Sequence, residues 1–281
     1  MNRLSSEEIN FFKREGYLIN KGVLDPELMT RARKRKWLGA PVRMDPEDPT
    51  TWIGPWRTDE EMSEHDTESH GNSRGGYSWK YREPAHEEWL VRMMVVNPII
   101  VGWAEQLLGK GSFDVPQQVR GIYCLLPMGD APEQPLVCHC DVKPDKLPST
   151  SLESLLKPRL GAVGLIAPVP PDGGAFTVWP GTHKIIYDLI FRTEGLAWKE
   201  AYKNQIVDFN SDRHVEGWGD AGDVLLWHGL LAHSAGWNRL EKLQLREAVL
   251  CDYDQYEVEK PKASYEDMWG DWSEEVRTTA G

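Results

Sequence analysis

His139-Cys140-Asp141 constrains this chain more than any other short stretch of it. On an extended segment, side chains two positions apart point to the same side. The imidazole and the carboxylate therefore share one face, and Cys138 and Cys140 turn away from it. One further histidine completes a set of two imidazoles and one carboxylate, which holds Fe(II) on one side and leaves three positions open. His228 and His233, both downstream of the Asp223–Trp227 stretch, are the candidates. They are five apart, so on one continuous strand they face opposite sides and cannot serve the same ion. A His-x-Asp alone is a weak pattern. Here it is followed in order by Gly173-Gly174, by Trp179-Pro180-Gly181-Thr182-His183, by Gly222-Asp223 and by Arg246.

The rest of the chain divides by texture. Ser5-Ser6-Glu7-Glu8 is an N-cap with acids in the first turn, and Ile9, Phe11 and Phe12 give the helix that follows an apolar face ending at Gly16. Tyr17–Asn20 reads as a short strand, and Asp25-Pro26-Glu27 opens a second helix that runs to about Lys36. Glu87–Leu108 is helical with a break at Asn97-Pro98. After Gly109 come short runs rich in β-branched, aromatic and apolar residues: Val119–Leu126, Gly161–Pro168, Ala175–Trp179, Asp223–Trp227 and Glu247–Tyr253. They predict an all-β part from about residue 115 to 258.

The expected organisation is a single domain over 1–281. It has a helical and lid-like N-terminal part to about 112, a β core over about 113–258 and an acidic tail over 259–281. Arg43–Gly76 is too long and polar for an ordinary connection and reads as a lid over the active-site mouth or as partly disordered. His65 and His70 within it read as polar surface.

Charge narrows the partners. With 32 basic and 44 acidic residues the net charge is −12 and the pI about 5.2, which argues against a general nucleic-acid binder. The one basic run, Arg31–Lys36, reads as a solvated helix end, with phosphate or coenzyme A binding as the alternative. No stretch reaches the ~18 apolar residues of a membrane span, and Met1–Phe12 lacks the apolar centre of a signal peptide. Cys124, Cys138, Cys140 and Cys251 form no CxxC pair and read as reduced core thiols of a cytoplasmic protein. The partner left is a small-molecule substrate, with no nucleic acid and no membrane. The sequence carries nothing on oligomeric state.

These residues resemble the phytanoyl-CoA dioxygenase family of Fe(II)/2-oxoglutarate-dependent oxygenases. The resemblance begins with Leu4–Leu28, where a helix, Gly-Tyr-Leu-Ile and Leu-Asp-Pro-Glu follow one another. It continues through His139-Cys140-Asp141, through Asp172-Gly173-Gly174-Ala175 leading to Pro180-Gly181-Thr182-His183, and through Gly222–Asn238 to Arg246. Cys140 departs from the polar residue usual between the ligands.

The resemblance implies a mainly β fold, a double-stranded β-helix of the jelly-roll or cupin-like kind, with flanking N-terminal helices. It also implies His139, Asp141 and His233 as iron ligands, which places His228 outside the set, and His183 as a structural turn residue. Arg246, on an apolar final strand where an unpaired charge is costly, is the partner for the distal carboxylate of 2-oxoglutarate, because arginine pairs with carboxylates in a bidentate fork. Ser234 and Thr177 are further hydroxyl donors to it. Trp52, Trp56, Trp79 and Trp237 are candidates to line a substrate pocket.

The expected activity is oxidation, in the first instance hydroxylation, of a small organic metabolite by Fe(2+), 2-oxoglutarate and O2, with release of succinate and CO2. The intact Asp141 favours this over halogenation, which needs a small residue there. The same iron chemistry turned to desaturation, epoxidation or ring formation is the alternative. A non-catalytic cupin-like binding protein is the alternative of another class. A coenzyme A ester needs a basic entrance, and the sequence offers only Arg31–Lys36, so a free metabolite is expected.

Overall fold

The computed structural model describes residues 3–65, 73–132, 135–141, 155–192, 196–210, 213–256, 262–264 and 266–280. Helix α1 (Ser6–Glu15) starts with a capping box: the Ser5 hydroxyl accepts from the Glu8 N–H, and the Glu8 carboxylate accepts from the Ser5 N–H. Gly16 ends it in the left-handed region, φ 84°, where a Cβ would also lie 2.6 Å from the His183 ring. Strand β1 (Tyr17–Asn20) follows at once, and Asp25 caps α2 (Pro26–Arg35). After the single turn α3 (Thr58–Glu61), Asn97-Pro98 splits the next helical stretch as predicted. Helix α4 (Glu88–Met93) stops short of it, and α5 (Pro98–Leu108) begins on the proline under an Asn97 cap.

Among the described residues, nine strands form two antiparallel sheets. The larger has the order β1-β7-β4-β9-β3-β2, with β2 (Ser78–Tyr81), β3 (Gly121–Leu125), β4 (Arg159–Leu165), β7 (Val224–His228) and β9 (Arg246–Asp254). The smaller has the order β6-β5-β8, with β5 (Phe176–Val178), β6 (Val215–Gly217) and β8 (His233–Ala235). One face of the large sheet packs on the helices: Leu226, Val249, Cys251 and Tyr253 meet Ile9, Phe12, Leu90 and Ile100. Alternate residues on the other face, Val163, Leu225, Trp227 and Leu250, join Phe176 and Val178 of the small sheet. The site lies between the sheets. This is the expected mainly β fold of antiparallel sheets with flanking helices.

The region from 115 to 258 is not all β. Two helices, α6 (Thr182–Arg192) and α7 (Leu196–Phe209), stand between β5 and β6. The buried residues Thr182, His183, Ile186, Tyr187 and Ile190 recur at helical spacing. That period lies directly behind the Pro180-Gly181 turn and is legible once the turn is not taken as the end of the pattern. The β core also takes an edge strand at each side, β1 and β2, from the N-terminal part.

The described part of Arg43–Gly76 is tied down locally. Arg43 donates to the Thr51 and Ile53 carbonyls at 2.6 and 2.7 Å and pairs with Glu61 at 3.0 Å. Trp56 is buried, with its Nε1 donating to the Ser78 carbonyl. His65 is exposed beside Glu64, and His70 lies outside the described residues. The tail closes on the N-terminal helix: Trp269 and Trp272 pack at a tilt against Phe12, and α8 (Glu274–Thr278) follows.

Candidate metal centre

β8 and the short extended segment at His139 hold the ligands together. The two backbones bridge, with the His139 N–H donating to the His233 carbonyl at 2.9 Å and the His233 N–H to the His139 carbonyl at 2.8 Å. This pair sets the rings 4.5 Å apart, centre to centre. Asp141, two residues on, returns to the same side, and its Oδ1 lies 3.8 Å from His233 Nε2. The candidate ligand atoms of His139, Asp141 and His233 all lie within 4.8 Å of one another.

Each ligand is held by a neighbour. The His233 Nδ1 lies 2.9 Å from the Leu231 carbonyl, so that nitrogen carries the proton and Nε2 presents its lone pair towards Asp141. Trp227 Nε1 donates to Asp141 Oδ2 at 3.1 Å. Arg120 lies 3.5 Å from Asp141 Oδ1 and is itself clamped by Asp252. Burial opposes ionisation of Asp141, but His233, Arg120 and the Trp227 hydrogen bond together keep its pKa below the ordinary carboxylate value. Burial lowers the pKa of His233. Enclosure and then repulsion from His233 lower that of His139 to about 3, although His139 is the member that opens to solvent. Two neutral imidazoles and one carboxylate form the protonation state that a divalent metal requires.

A cavity of about 690 Å3 opens on the ligands. Arg246, 3 % exposed, lines it, and its Nε donates to the Gly174 carbonyl at 3.0 Å. Ser234 lines it too, with its hydroxyl donating to the Val137 carbonyl. Thr177 is fully buried and donates to the Ala175 carbonyl. Alternation puts its neighbour Phe176 on the cavity wall, and Thr177 is not among the lining residues.

His228 and His183 are not part of the ligand cluster. His228 ends β7 on the face opposite Trp227, and its Nδ1 accepts from the Leu230 N–H at 3.0 Å. His183 sits in the first turn of α6 against the Lys13 carbonyl. Of the four tryptophans offered as pocket candidates, Trp56 and Trp79 are core residues, Trp52 packs beside Trp37, and Trp237 donates to the Pro135 carbonyl; none lines the cavity.

The residues that sequence reading passed over are Trp227, Arg120, Lys80 and Arg82. Ser78-Trp79-Lys80-Tyr81 alternates polar and aromatic residues strictly, which is the pattern of a half-buried strand, and it is β2, with Arg82 the next residue.

A family model described as phytanoyl-CoA dioxygenase matches residues 149–246. The match includes His233 and ends on Arg246; His139 and Asp141 lie upstream of it. No curated protein matches the chain. Among solved structures, the α-ketoglutarate-dependent carbocyclase SnoK of nogalamycin biosynthesis is 19 % identical, with 90 % of this chain and 84 % of that one covered, at a TM-score of 0.55. HygX from Streptomyces hygroscopicus, with nickel, 2-oxoglutarate and hygromycin B bound, is 14 % identical over 90 % and 88 %, also at 0.55. EctD from S. alaskensis with bound Fe is 16 % identical over 92 % and 82 %, at 0.54.

Two packed antiparallel sheets with two histidines and one carboxylate drawn together between them define the class by fold: a double-stranded β-helix like that of these solved structures, with a candidate metal site. Residues 149–246 match the phytanoyl-CoA dioxygenase family model, the family that the motifs resemble.

Proposed function

We propose that the protein is an Fe(II)- and 2-oxoglutarate-dependent dioxygenase that hydroxylates a small organic metabolite and releases succinate and CO2. One observation carries this reading: the ligand atoms of His139, Asp141 and His233 lie within 4.8 Å of one another, and the two histidines line a cavity whose wall also holds the buried Arg246.

The donor set suits Fe(II), which leaves half of its positions for exchangeable ligands. Bound there, the metal supplies O2 activation coupled to decarboxylation of 2-oxoglutarate. The chain's own residues do the rest. The Leu231 carbonyl fixes the His233 tautomer. Trp227 occupies Asp141 Oδ2 and leaves Oδ1 for the metal. Arg246 gives the distal carboxylate of 2-oxoglutarate a charge-assisted pair inside a low-dielectric wall, and Ser234 stands on the same wall. The cavity volume is that of a small-molecule site and suits a metabolite beside the cosubstrate.

The test is direct. Mn(II) binding followed by electron paramagnetic resonance, then 2-oxoglutarate binding by calorimetry, checks the two cofactors. Succinate release over a panel of candidate metabolites, with mass analysis for one added oxygen, checks the reaction. A protein that holds neither Mn(II) nor 2-oxoglutarate is not this enzyme.

A further inference from the structure

The segment that carries His139 and Asp141 meets β8 through an isolated bridge, His139 with His233. One bridge fixes a point on a segment and leaves its tilt about that point free. Along extended backbone, alternate residues turn their N–H and C=O groups to opposite edges. The odd-numbered residues here face β8: His139 pairs with His233 in both directions, and the Val137 carbonyl accepts from the Ser234 hydroxyl at 2.8 Å.

The even-numbered residues face the other way, towards α7. The Cys140 N–H donates to the hydroxyl of Tyr202, on that helix, at 3.0 Å. The Cys138 N–H donates to Oδ1 of Asn210, one residue past the helix end, at 2.8 Å. Two side chains thus close an edge that a sheet would close with another strand. Cys138 and Cys140 are 2 and 4 % exposed and pack with Ile186, Tyr187, Tyr202 and Phe209, and Cys138 Sγ lies 3.7 Å from the Ile206 carbonyl. At that depth an N–H without an acceptor is costly, so both side chains are needed where they stand. The same packing accounts for Cys140 in place of a polar residue between the ligands: its thiol is a small apolar filler beneath α7.

We propose that Tyr202 and Asn210 are positioning residues of the metal centre. By gripping the backbone on both sides of His139 they set the tilt of the His139–Asp141 segment about its bridge, and so the spacing of both ligands from His233. Neither residue belongs to the ligand cluster or lines the cavity. The role rests on the reading that His139, Asp141 and His233 hold a metal.

The test titrates Mn(II) into the full chain as wild type, Tyr202→Phe, Asn210→Ala, Asn210→Asp and Tyr187→Phe. Electron paramagnetic resonance reads bound metal, and thermal melts read stability. Tyr202→Phe keeps the ring and removes the acceptor, whereas Asn210→Asp keeps the acceptor. Tyr187 is the control, since its hydroxyl, in the same apolar cluster, donates to the Ser264 carbonyl in the tail instead.

Tyr202→Phe and Asn210→Ala should each weaken Mn(II) binding by about tenfold, the low end for neighbours that orient metal ligands. Asn210→Asp should retain more affinity than Asn210→Ala, and Tyr187→Phe should lower the melting temperature and leave Mn(II) affinity in place. If Asn210→Ala does not fold, Tyr202→Phe against Tyr187→Phe decides. Wild-type affinity in Tyr202→Phe overturns the proposal, as does an equal loss in Tyr187→Phe, because the cluster would then act through stability alone. A wild type that takes no Mn(II) sinks the proposed function instead. Amide hydrogen exchange of the metal-free protein then decides the grip: the Cys140 amide should exchange faster in Tyr202→Phe and the Cys138 amide in Asn210→Ala, and rates equal to those of Tyr187→Phe would overturn it.

Discussion

Strand β7 separates two clusters of histidine and tryptophan. On one face Trp227 meets His233 and Phe176, His139 lies against His233, and Asp141 is hydrogen-bonded to the indole. On the other, His228 stacks on Trp272 at 4.8 Å and packs against His183, Trp269 and Phe12. Both clusters are aromatic, and His228, His183 and His233 are all buried. Among the described residues, the first has a carboxylate in its cluster and a cavity in front of its histidines. In the second, burial first and then repulsion from His183 push the His228 pKa well below its ordinary value, and burial takes His183 to about 3, so both rings stay neutral packing groups. All three buried histidines have one ring nitrogen tied to backbone, and what sets His233 apart as the proposed ligand is a carboxylate that shares its space. Number of histidines and depth of burial do not make the difference.

The largest effect that could break this contrast is loss of a ligand. Asp141→Ala and His233→Ala should each abolish tight Mn(II) or Fe(II) binding, while His228→Ala leaves metal affinity intact and costs stability. Anaerobic metal titration of the three variants decides it. Affinity that collapses with His228 and survives with His233 would exchange the roles of the two faces.

Next in size is Arg246→Ala. Truncating one partner of a desolvated ion pair costs on the order of 2–5 kcal/mol, so 2-oxoglutarate should bind at least tenfold more weakly while Mn(II) binding holds. Calorimetry with and without the metal reads both numbers, and an unchanged 2-oxoglutarate affinity would shift the role to another cation of the cavity wall, Lys80 or Arg82 first.

Trp227→Phe keeps the ring on the ligand face and removes only the hydrogen bond to Asp141 Oδ2. Neighbours that orient metal ligands are worth about tenfold to a hundredfold in metal affinity, and a loss in that range is expected. No change would mean that Arg120 alone orients the carboxylate.

The smallest effect belongs to the far face. His183 and His228 have folded pKa values below that of a free imidazole, so between about pH 4 and 6.5 the unfolded chain binds protons that the folded one does not. Stability should therefore rise with pH through that window, and fall again as pH drops, by at most about 1.4 kcal/mol per pH unit for each histidine. His228→Phe should remove one histidine's share of the slope in urea melts of the metal-free protein. An unaltered slope would show that His228 is already charged in the folded state.

Much of this was written in local patterns. The Ser5 cap, the Gly16 stop, the Asn97-Pro98 break and the His139–Asp141 spacing are short-range features, and each appears where the sequence puts it. Strands β6 and β8 have three residues each, too few for a period to declare itself, and they exist through pairing with β5. The basic cavity was invisible for the opposite reason. Arg31–Lys36 is conspicuous in the sequence, but Arg31 stacks on Trp89, Arg35 pairs with Glu87, and Arg33 and Lys36 meet Glu247. Lys80, Arg82, Arg120 and Arg246 are scattered along the chain and converge only through the sheet order.

The way the chain closes on itself fixes an order of assembly. Strand β1 pairs with β7, so Tyr17 waits for Trp227. Leu4 hydrogen-bonds Gln106, which in turn donates to Glu275, and Lys13 donates to the carbonyls of Val276 and Thr279. The first helix therefore has no complete docking surface until nearly the whole chain has been synthesised. Contacts this distant in sequence make folding slow and leave apolar faces waiting. On the ribosome, α1 must remain an uncommitted segment, and a nascent chain stalled before Trp269 should stay sensitive to protease at its N-terminus.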